Sequence, residues 1–254
     1  MGTSTKRNYL KFVNRLRKAL THNTQISTLG HIKFATNKYP FQKIILGDRN
    51  PRRVLISAGI HGDEPAGVES ICSFLESGRY KPYLDEWEIT ILPCINPYGF
   101  ENDTRENHKN KDLNRLFKVH NPPREVQLAK SIFKPSYFDI TIELHEDCDS
   151  QGYYLFQKSN KPNGFEIGVR IIKALKGIIS INSNKTIENM PAENGVIHRI
   201  NDINHMEWWP MAGYSLSMKA DHCLTLETPT KLAMATRVRA HQVALDQALM
   251  CCPQ

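Results

Sequence analysis

The chain has 254 residues, with 33 lysines and arginines against 26 aspartates and glutamates, which gives a formal net charge of +7. Hydrophobic residues make up 40% and charged residues 23% of the sequence, a globular composition that excludes a disordered, collagen-like or coiled-coil chain. No apolar run approaches the roughly 18 residues of a membrane-spanning helix. The net charge raises the question of whether nucleic acid is the partner.

The N-terminal segment, residues 6–20, has apolar residues at helical spacing with arginines and lysines between them, which predicts a basic amphipathic helix. These apolar residues are Leu10, Val13, Leu16 and Leu20. Polar and charged residues interrupt the stretch after Lys6 and Arg7, so we do not expect a secretory signal peptide. None of the six cysteines forms a C-x-x-C pair. We therefore expect a reduced, cytoplasmic protein with buried free thiols, with export by an unrecognised route as the alternative.

Strands and helices alternate along the rest of the chain. The pattern predicts strands at 44–46, 54–60, 88–95, 140–144, 153–156 and 224–226. It predicts helices at 123–133, 165–175 and 231–250. A further helix follows the strand at 54–60, with Asp63 as its N-cap and Pro65 in its first turn. Gly47-Asp48 and Asn50-Pro51 are turn signals. The segments predicted to be irregular are 101–121 and 180–222.

This alternation favours a three-layer α/β fold. The length suits one large domain or two small ones, and the sequence contains no repeat or linker. We therefore predict a single domain over residues 1–254, with the basic helix of residues 1–25 as an N-terminal extension.

His61 and Glu64 stand three residues apart at the end of the strand predicted over 54–60. This spacing lets an imidazole nitrogen and a carboxylate converge on one ion, and zinc accepts both types of ligand. The alternative is that both are ordinary polar residues at the start of a helix, where the helix dipole also favours an acidic side chain.

His145 and Glu227 each follow another apolar strand. Because ligands bind at the carboxyl ends of strands in α/β sheets, His145 is a candidate third metal ligand. Glu227 is flanked by apolar residues, and a buried carboxylate is costly unless it is paired or functional. It is therefore a candidate general base for a metal-activated water. The alternatives are a plain polar histidine and a solvent-facing glutamate on an edge strand.

The polar connection at 101–121 adds Arg105 and the pair Asn114-Arg115. A fixed guanidinium can stabilise the oxyanion that develops in metal-assisted acyl hydrolysis. A second arginine with an amide neighbour can hold a substrate carboxylate through two parallel hydrogen bonds. The alternative is a solvated basic loop.

Together these motifs resemble the zinc carboxypeptidase superfamily, which includes murein-peptide amidases and the succinylglutamate desuccinylase/aspartoacylase branch. The resemblance spans residues 54 to about 240. The residues that occur in the family's order are His61, Glu64, Asn96-Pro97-x-Gly99, Arg105, Asn114-Arg115, His145 and Glu227. The resemblance implies a three-layer zinc-carboxypeptidase-like α/β fold, with a mixed, twisted sheet of about eight strands and helices on both faces.

The resemblance also implies catalytic roles. His61, Glu64 and His145 would bind one zinc ion. Glu227 would act as general base and then as general acid, and Arg105 would polarise the scissile carbonyl.

Substrate binding follows from the same resemblance. Asn114 and Arg115 would hold the free carboxylate of a peptide or acyl-amino-acid substrate, and Tyr214 is a candidate for the family's mobile tyrosine. The chain departs from the digestive carboxypeptidases after His145, where Glu146-Asp147 stands in place of Ser-Tyr. These acids could repel a substrate carboxylate or attract an amine.

Two enzyme activities fit this pattern. A carboxypeptidase or amidase would act on a peptide with a free C-terminal carboxylate. An N-acyl-amino-acid deacylase of the desuccinylase type is the alternative, and Asp112-Leu113-Asn114-Arg115 looks like that branch. Only 27 residues follow Glu227, and they predict one helix rather than the extra β-rich domain of aspartoacylase-type proteins. We therefore expect a zinc metallocarboxypeptidase.

The basic N-terminal helix leaves a non-enzymatic alternative, in which it binds nucleic acid or an acidic membrane surface. The sequence has no RRM-type aromatic and basic pattern, no zinc knuckle and no P-loop. Residues 1–25 contain six basic residues and no acid, so they account for six of the seven net charges. Because the charge is local, we expect neither nucleic acid nor a membrane as the partner. The sequence does not indicate the oligomeric state.

Overall fold

The structure, a computed structural model, describes residues 6–20, 24–47, 49–134, 136–161, 166–198 and 202–252. The α-helices in these ranges are α1 (Tyr9–Ala19), α2 (Pro65–Glu76), α3 (Pro97–Asn102), α4 (Arg124–Ser131), α5 (Glu166–Leu175), α6 (Met211–Ser217) and α7 (Met234–Cys251). The strands are β1 (Thr24–Phe34), β2 (Asn37–Leu46), β3 (Arg52–Ala58), β4 (Trp87–Leu92), β5 (Ile140–Asp147), β6 (Tyr154–Ser159), β7 (Thr186–Ile187), β8 (Met190–Pro191), β9 (Val196–Ile197) and β10 (His222–Pro229). Asp48 of the predicted turn and Phe165 of the predicted helix lie outside the described residues.

The described strands form a mixed sheet of eight strands in the order β1-β2-β4-β3-β5-β10-β6-β9, while β7 pairs with β8. The central strands β4, β3, β5 and β10 run parallel to one another. Their residues are mostly buried, which explains why they read as apolar runs in the sequence. Because the strands are parallel, their carboxyl ends meet at one edge of the sheet, where ligands bind in α/β folds.

The two faces of the sheet carry different helices. A side chain added at Gly67 of α2 would meet Leu144 of β5, and Thr228 Oγ1 of β10 lies 3.3 Å from His241 Nε2 of α7. Successive strand residues point to opposite faces, so His145 of β5 faces the other side, where α6 packs against β5 and β10. The predicted three-layer arrangement, with helices on both faces of the sheet, is confirmed.

The predicted N-terminal helix is present as α1, and it packs on the body of the protein. Tyr9, Phe12 and Leu16 are buried in the main hydrophobic core. On the opposite face, Arg15 forms ion pairs with Glu69 and Glu76 of α2, at 2.5 and 2.6 Å. The helix is thus held by apolar contacts and by the two ion pairs of Arg15.

Three segments differ from the sequence-based expectation. Residues 24–46 form a long hairpin, β1–β2. The sequence did not predict β1, because most of its side chains are exposed or half-buried and leave no apolar pattern. Glu64, rather than Asp63, directly precedes α2, and it makes no side-chain cap hydrogen bond there. The 180–222 segment, expected to be irregular, contains β7, β8, β9 and α6, whose short lengths give no readable periodicity.

All six cysteines lie in the described part of the chain and are free thiols. Four of them are buried, whereas Cys148 is exposed and Cys251 is half-buried, so the expectation of buried thiols is wrong for these two. Among the described residues, no helix combines the length and apolar character that crossing a membrane requires.

Candidate metal centre and active-site cavity

The segment from His61 to Glu64 connects β3 to α2 and is held against the start of α3. A Cβ atom at Gly62 would lie 1.9 Å from the carbonyl carbon of Gly99, so only glycine fits this contact. The backbone N–H of Gly62 also donates to the Thr104 carbonyl at 3.0 Å. The close backbone packing fixes the position of both candidate ligands in this segment.

His61, Glu64 and His145 converge at the carboxyl ends of β3 and β5. Nδ1 of His61 lies 2.6 Å from Glu64 Oε1, and Nδ1 of His145 lies 2.8 Å from Glu64 Oε2. One ligand atom from each of the three residues falls within 4.8 Å of the others, and all three residues are buried. The structure therefore brings together the three residues that the sequence pattern grouped.

A second layer of carboxylates surrounds the histidines. Nε2 of His61 lies 3.1 Å from Asp112 Oδ1, and Nε2 of His145 lies 3.7 Å from Glu143 Oε2. Both Nδ1 atoms face Glu64 at the centre of the group, where a metal ion would take the place of the protons that they share with the carboxylate. Outer carboxylates commonly orient metal-binding histidines in this way.

The charge state of Glu64 also suits a cation. Burial alone would raise the pKa of Glu64, but the neighbouring His145 and His61 hold it well below its usual range. Two imidazole nitrogens and one carboxylate form a donor set that zinc binds in catalytic sites, which keep a further position open. The residues present therefore fit a zinc ion.

Glu227 lies beside this group, on the neighbouring strand. In the parallel register of β5 and β10 it is the direct partner of His145, and its side chain lines the same cavity. Burial raises the pKa of Glu227 above its usual range; the His145 charge opposes this shift, and the Glu64 and Asp147 carboxylates add to it. The carboxyl group therefore has an enhanced affinity for a proton.

The polar connection places Arg105 against the metal group. Its Nε and Nη2 atoms donate to Asp112 Oδ2 at 3.2 and 3.1 Å, and Nη1 lies 3.4 Å from Glu64 Oε1. Asp112 thus contacts both Arg105 and His61, which fixes the guanidinium relative to the candidate ligands.

Asn114 and Arg115 lie in a 3-10 turn, Leu113–Arg115, at the end of this connection. Oδ1 of Asn114 accepts a hydrogen bond from the Met211 N–H at 2.8 Å, which ties the turn to α6. The Arg115 guanidinium stacks on Trp208, 3.9 Å from the ring centre. Both side chains line the cavity.

The connection itself is ordered by Asn107, which is 1% exposed. Its Oδ1 accepts from the backbone N–H groups of Lys109 and Lys111, at 3.0 and 3.2 Å. Its Nδ2 donates to Glu125 Oε1 on α4 at 3.1 Å. A buried amide therefore shapes the loop that carries the two candidate arginines.

These groups open into a cavity of about 500 Å³. The predicted site residues that line it are His61, Glu64, Arg105, Asn114, Arg115, His145 and Glu227. Tyr214, the candidate mobile tyrosine, is not among the lining residues. Its ring instead packs against Phe117 and Phe133, with centroids 5.9 and 5.3 Å apart, because it lies on the far side of α6 from the cavity.

The two acids after His145 point to opposite faces of the sheet. Glu146 is among the residues that line the cavity, but its carboxylate accepts from the Ala66 N–H at 2.6 Å and pairs with Arg237 of α7. Its charge is therefore already paired. Asp147 also lines the cavity and accepts a hydrogen bond from Tyr154 at 2.9 Å.

Sequence reasoning assigned no role to several residues that build the site. Asp112 lies 3.1 Å from His61 and Glu143 lies 3.7 Å from His145. Asp112 stands within Asp112-Leu113-Asn114-Arg115 and Glu143 stands two residues before His145, so their positions were a usable signal. Trp208 and Glu188 reach the cavity from segments distant in sequence, and no local sequence pattern indicates that they belong to it.

Comparison with known proteins gives one family. The model of the succinylglutamate desuccinylase/aspartoacylase catalytic domain matches residues 50–193. No curated protein matches the chain significantly.

Solved structures share the fold. A candidate metallopeptidase from Shewanella denitrificans OS217 is 25% identical, with 96% of this chain and 88% of that chain covered at a TM-score of 0.75. Another from Shewanella baltica OS155 is 22% identical, with coverage of 96% and 91% and a TM-score of 0.77. A metallo-carboxypeptidase from Burkholderia cenocepacia is 16% identical, with coverage of 94% and 67% and a TM-score of 0.69. The predicted zinc-carboxypeptidase-like fold is confirmed.

Proposed function

Because the chain belongs to the succinylglutamate desuccinylase/aspartoacylase catalytic-domain family, hydrolases of the zinc carboxypeptidase superfamily, we propose that it cleaves an amide bond beside a free carboxylate. The substrate we propose is the C-terminal end of a peptide, which makes the chain a zinc metallocarboxypeptidase. The observation that carries this proposal is that one cavity joins a buried His-Glu-His group, a buried glutamate and two arginines.

His61, Glu64 and His145 would hold the zinc ion, with Asp112 and Glu143 fixing the two imidazoles from outside. The Lewis acidity of the ion activates a water molecule at near-neutral pH. The buried position of the three ligands keeps competing water away from the donor atoms.

Glu227 would take a proton from the attacking water and later give it to the leaving amine. Its position next to His145 and its raised pKa support both steps, because a carboxylate with a high pKa is a better base and holds the proton until the amine leaves. Arg105 would meet the carbonyl oxygen of the scissile bond, and its hydrogen bonds to Asp112 keep it preorganised for the developing negative charge.

Arg115 would bind the substrate carboxylate, with its guanidinium plane held by the Trp208 ring. Asn114 would assist through its side-chain NH₂, because its oxygen already accepts from Met211. The carboxylate end of the substrate would thereby be fixed on the arginine side of the cavity.

The remaining cavity wall favours a peptide. Asp147, Asp149 and Glu188 line it together with apolar side chains such as Phe156 and Met190. A dicarboxylic acyl group would meet like charges there, whereas an amino group or an apolar side chain would be stabilised. The deacylase activity remains the second candidate, supported by the family model and by Asp112-Leu113-Asn114-Arg115.

The test is a hydrolysis screen of zinc-loaded protein with C-terminal peptides, murein-type peptides and N-acyl amino acids. We expect cleavage of free-acid peptides, little cleavage of their C-terminal amides, and none of N-succinyl or N-acetyl amino acids. In the matched variant Glu227→Gln, hydrolysis should fall by about 100- to 10,000-fold while zinc content stays unchanged.

Two results would contradict this proposal. Cleavage of N-acyl amino acids alone would select the deacylase, and full activity in Glu227→Gln would remove Glu227 from the mechanism.

A further inference from the structure

Arg7 lies just ahead of α1 and reaches the backbone of the candidate metal-binding segment. Its Nε donates to the Phe100 carbonyl at 2.7 Å, and its Nη2 donates to the Gly62 carbonyl at 2.9 Å. The same Nη2 pairs with Asp103 at 2.5 Å. The Arg7 guanidinium therefore links the His61–Glu64 segment to Phe100 of α3 and to Asp103, the residue after α3.

The Gly62 carbonyl stands directly between the candidate ligands His61 and Glu64 in sequence. The N–H of Gly62 is bonded to Thr104, and its α-carbon packs against Gly99. With the carbonyl bonded to Arg7, the N–H, the α-carbon and the carbonyl of Gly62 are each held by another part of the protein. A shift of this unit would move both ligands together.

The position of Arg7 is itself fixed by α1. Tyr9 is fully buried and donates its hydroxyl proton to the Pro40 carbonyl at 2.7 Å, and Phe12 packs on Phe100 with ring centroids 5.5 Å apart. The side chain of Arg7 is 26% exposed and lies over the Phe100 ring. These contacts restrict the guanidinium to one place.

We infer that Arg7 is a positioning residue for the metal centre, acting on His61 and Glu64 through the Gly62 carbonyl. It lies outside residues 50–193, which match the family model, so the N-terminal segment contributes to the site in addition to the family's catalytic domain. Since Asp103 offsets the Arg7 charge, the effect is one of geometry rather than of charge. The inference rests on the proposed zinc binding, but the contact itself can be tested without metal.

The test compares Arg7→Met with Arg15→Met. Both remove a guanidinium that docks α1, but Arg15 binds Glu69 and Glu76 of α2 and does not contact the metal-binding segment. The first measurement is hydrogen–deuterium exchange of peptides covering residues 59–66 in the metal-free protein. We expect faster exchange in Arg7→Met and wild-type exchange in Arg15→Met.

The second measurement is the zinc dissociation constant, from competition with a chromophoric chelator. Changes in residues that orient metal ligands weaken binding by about 10- to 100-fold, and we expect this for Arg7→Met. Arg7→Lys, which keeps the charge but loses the planar pair of donors, should give an intermediate constant. In Arg7→Met we also expect kcat to fall while KM stays close to the wild-type value.

Unchanged exchange at 59–66 and a zinc constant within twofold of wild type in Arg7→Met would overturn the inference. Equal effects in Arg15→Met would also overturn it, because they would reflect loss of helix docking alone. A wild-type protein that binds no zinc would overturn the proposed function, while the exchange measurement would still decide whether Arg7 holds the segment.

Discussion

At the scale of single residues, His61 and His145 each present Nδ1 to Glu64 and Nε2 to an outer carboxylate. This arrangement directs Nδ1 of each imidazole toward the centre of the group, where an ion would bind. The sequence pattern predicted both histidines as metal ligands. It contained no information on the nitrogen atoms, because these depend on Asp112 and Glu143.

The first residue-scale prediction concerns Arg115. In Arg115→Ala, KM for free-acid peptides should rise by about 10- to 100-fold, because a charge-assisted hydrogen-bond pair to the carboxylate is lost. The value of kcat should change little, since Arg115 is not the residue assigned to the reacting bond. Steady-state kinetics with matched free-acid and C-terminally amidated peptides provide the check. An equal rise in KM for both substrates would contradict the assigned role.

At the scale of elements, β5 and β10 place the candidate site residues on one face of the sheet and residues that contact helices on the other. Alternate side chains along each strand, such as those of His145 and Glu227, face the cavity. The side chains between them, such as those of Glu146 and Thr228, face α2 and α7. A shift of one residue in the pairing of these strands would exchange the two sets. The register of two strands therefore determines which acids can take part in chemistry.

The face behind the site gives a prediction on pH and stability. His241 of α7 is fully buried, and burial lowers its pKa to about 3. The charges that act on it are those of His145, Glu64 and Arg237. In the unfolded chain a histidine takes up a proton near pH 6.5. Between about pH 6.5 and pH 3 the unfolded state therefore binds more protons, so stability falls as the pH falls.

His241→Gln should reduce this acid destabilisation. The wild-type folding equilibrium should lose up to a factor of ten per pH unit from His241 alone, and the variant should lack this contribution. Urea unfolding at several pH values between 4 and 7 measures the difference in slope. The same pH dependence in both proteins would show that His241 does not have the lowered pKa.

At the scale of the whole molecule, part of the positive charge of the N-terminal segment is paired with acids elsewhere in the protein. Two of the six basic residues in the N-terminal segment, Arg7 and Arg15, form ion pairs with acids of the body. One hydrophobic core includes residues from Tyr9 of α1 to Cys252 after α7. These contacts support our proposal that the chain folds as a single domain with its N-terminal helix attached.

A single domain predicts one cooperative unfolding transition. Trp87 lies in the core and donates to the Leu249 carbonyl of α7, so its fluorescence reports that contact in a Trp208→Phe, Trp209→Phe background. We expect this fluorescence and far-UV circular dichroism to change at the same urea concentration. Two separated transitions would indicate two independently folding parts.

The sequence by itself determined the architecture and most of the site. Apolar runs marked the central strands, because strands buried on both faces lack alternation. The residues after those strands could be grouped, because parallel strands end at one edge of the sheet. This reasoning predicted His61, Glu64, His145 and Glu227 as site residues, because each lies at or just after the end of a predicted strand.

Only the tertiary structure decided the contacts between distant segments. It paired the Glu146 carboxylate with the Ala66 N–H, packed Tyr214 against Phe117 and Phe133, and brought Trp208 under Arg115. It also placed Arg7 on the Gly62 carbonyl. Local periodicity reports which face of an element is buried, but it does not report which remote side chain covers that face. Those contacts depend on strand register and helix packing, which the whole chain sets together.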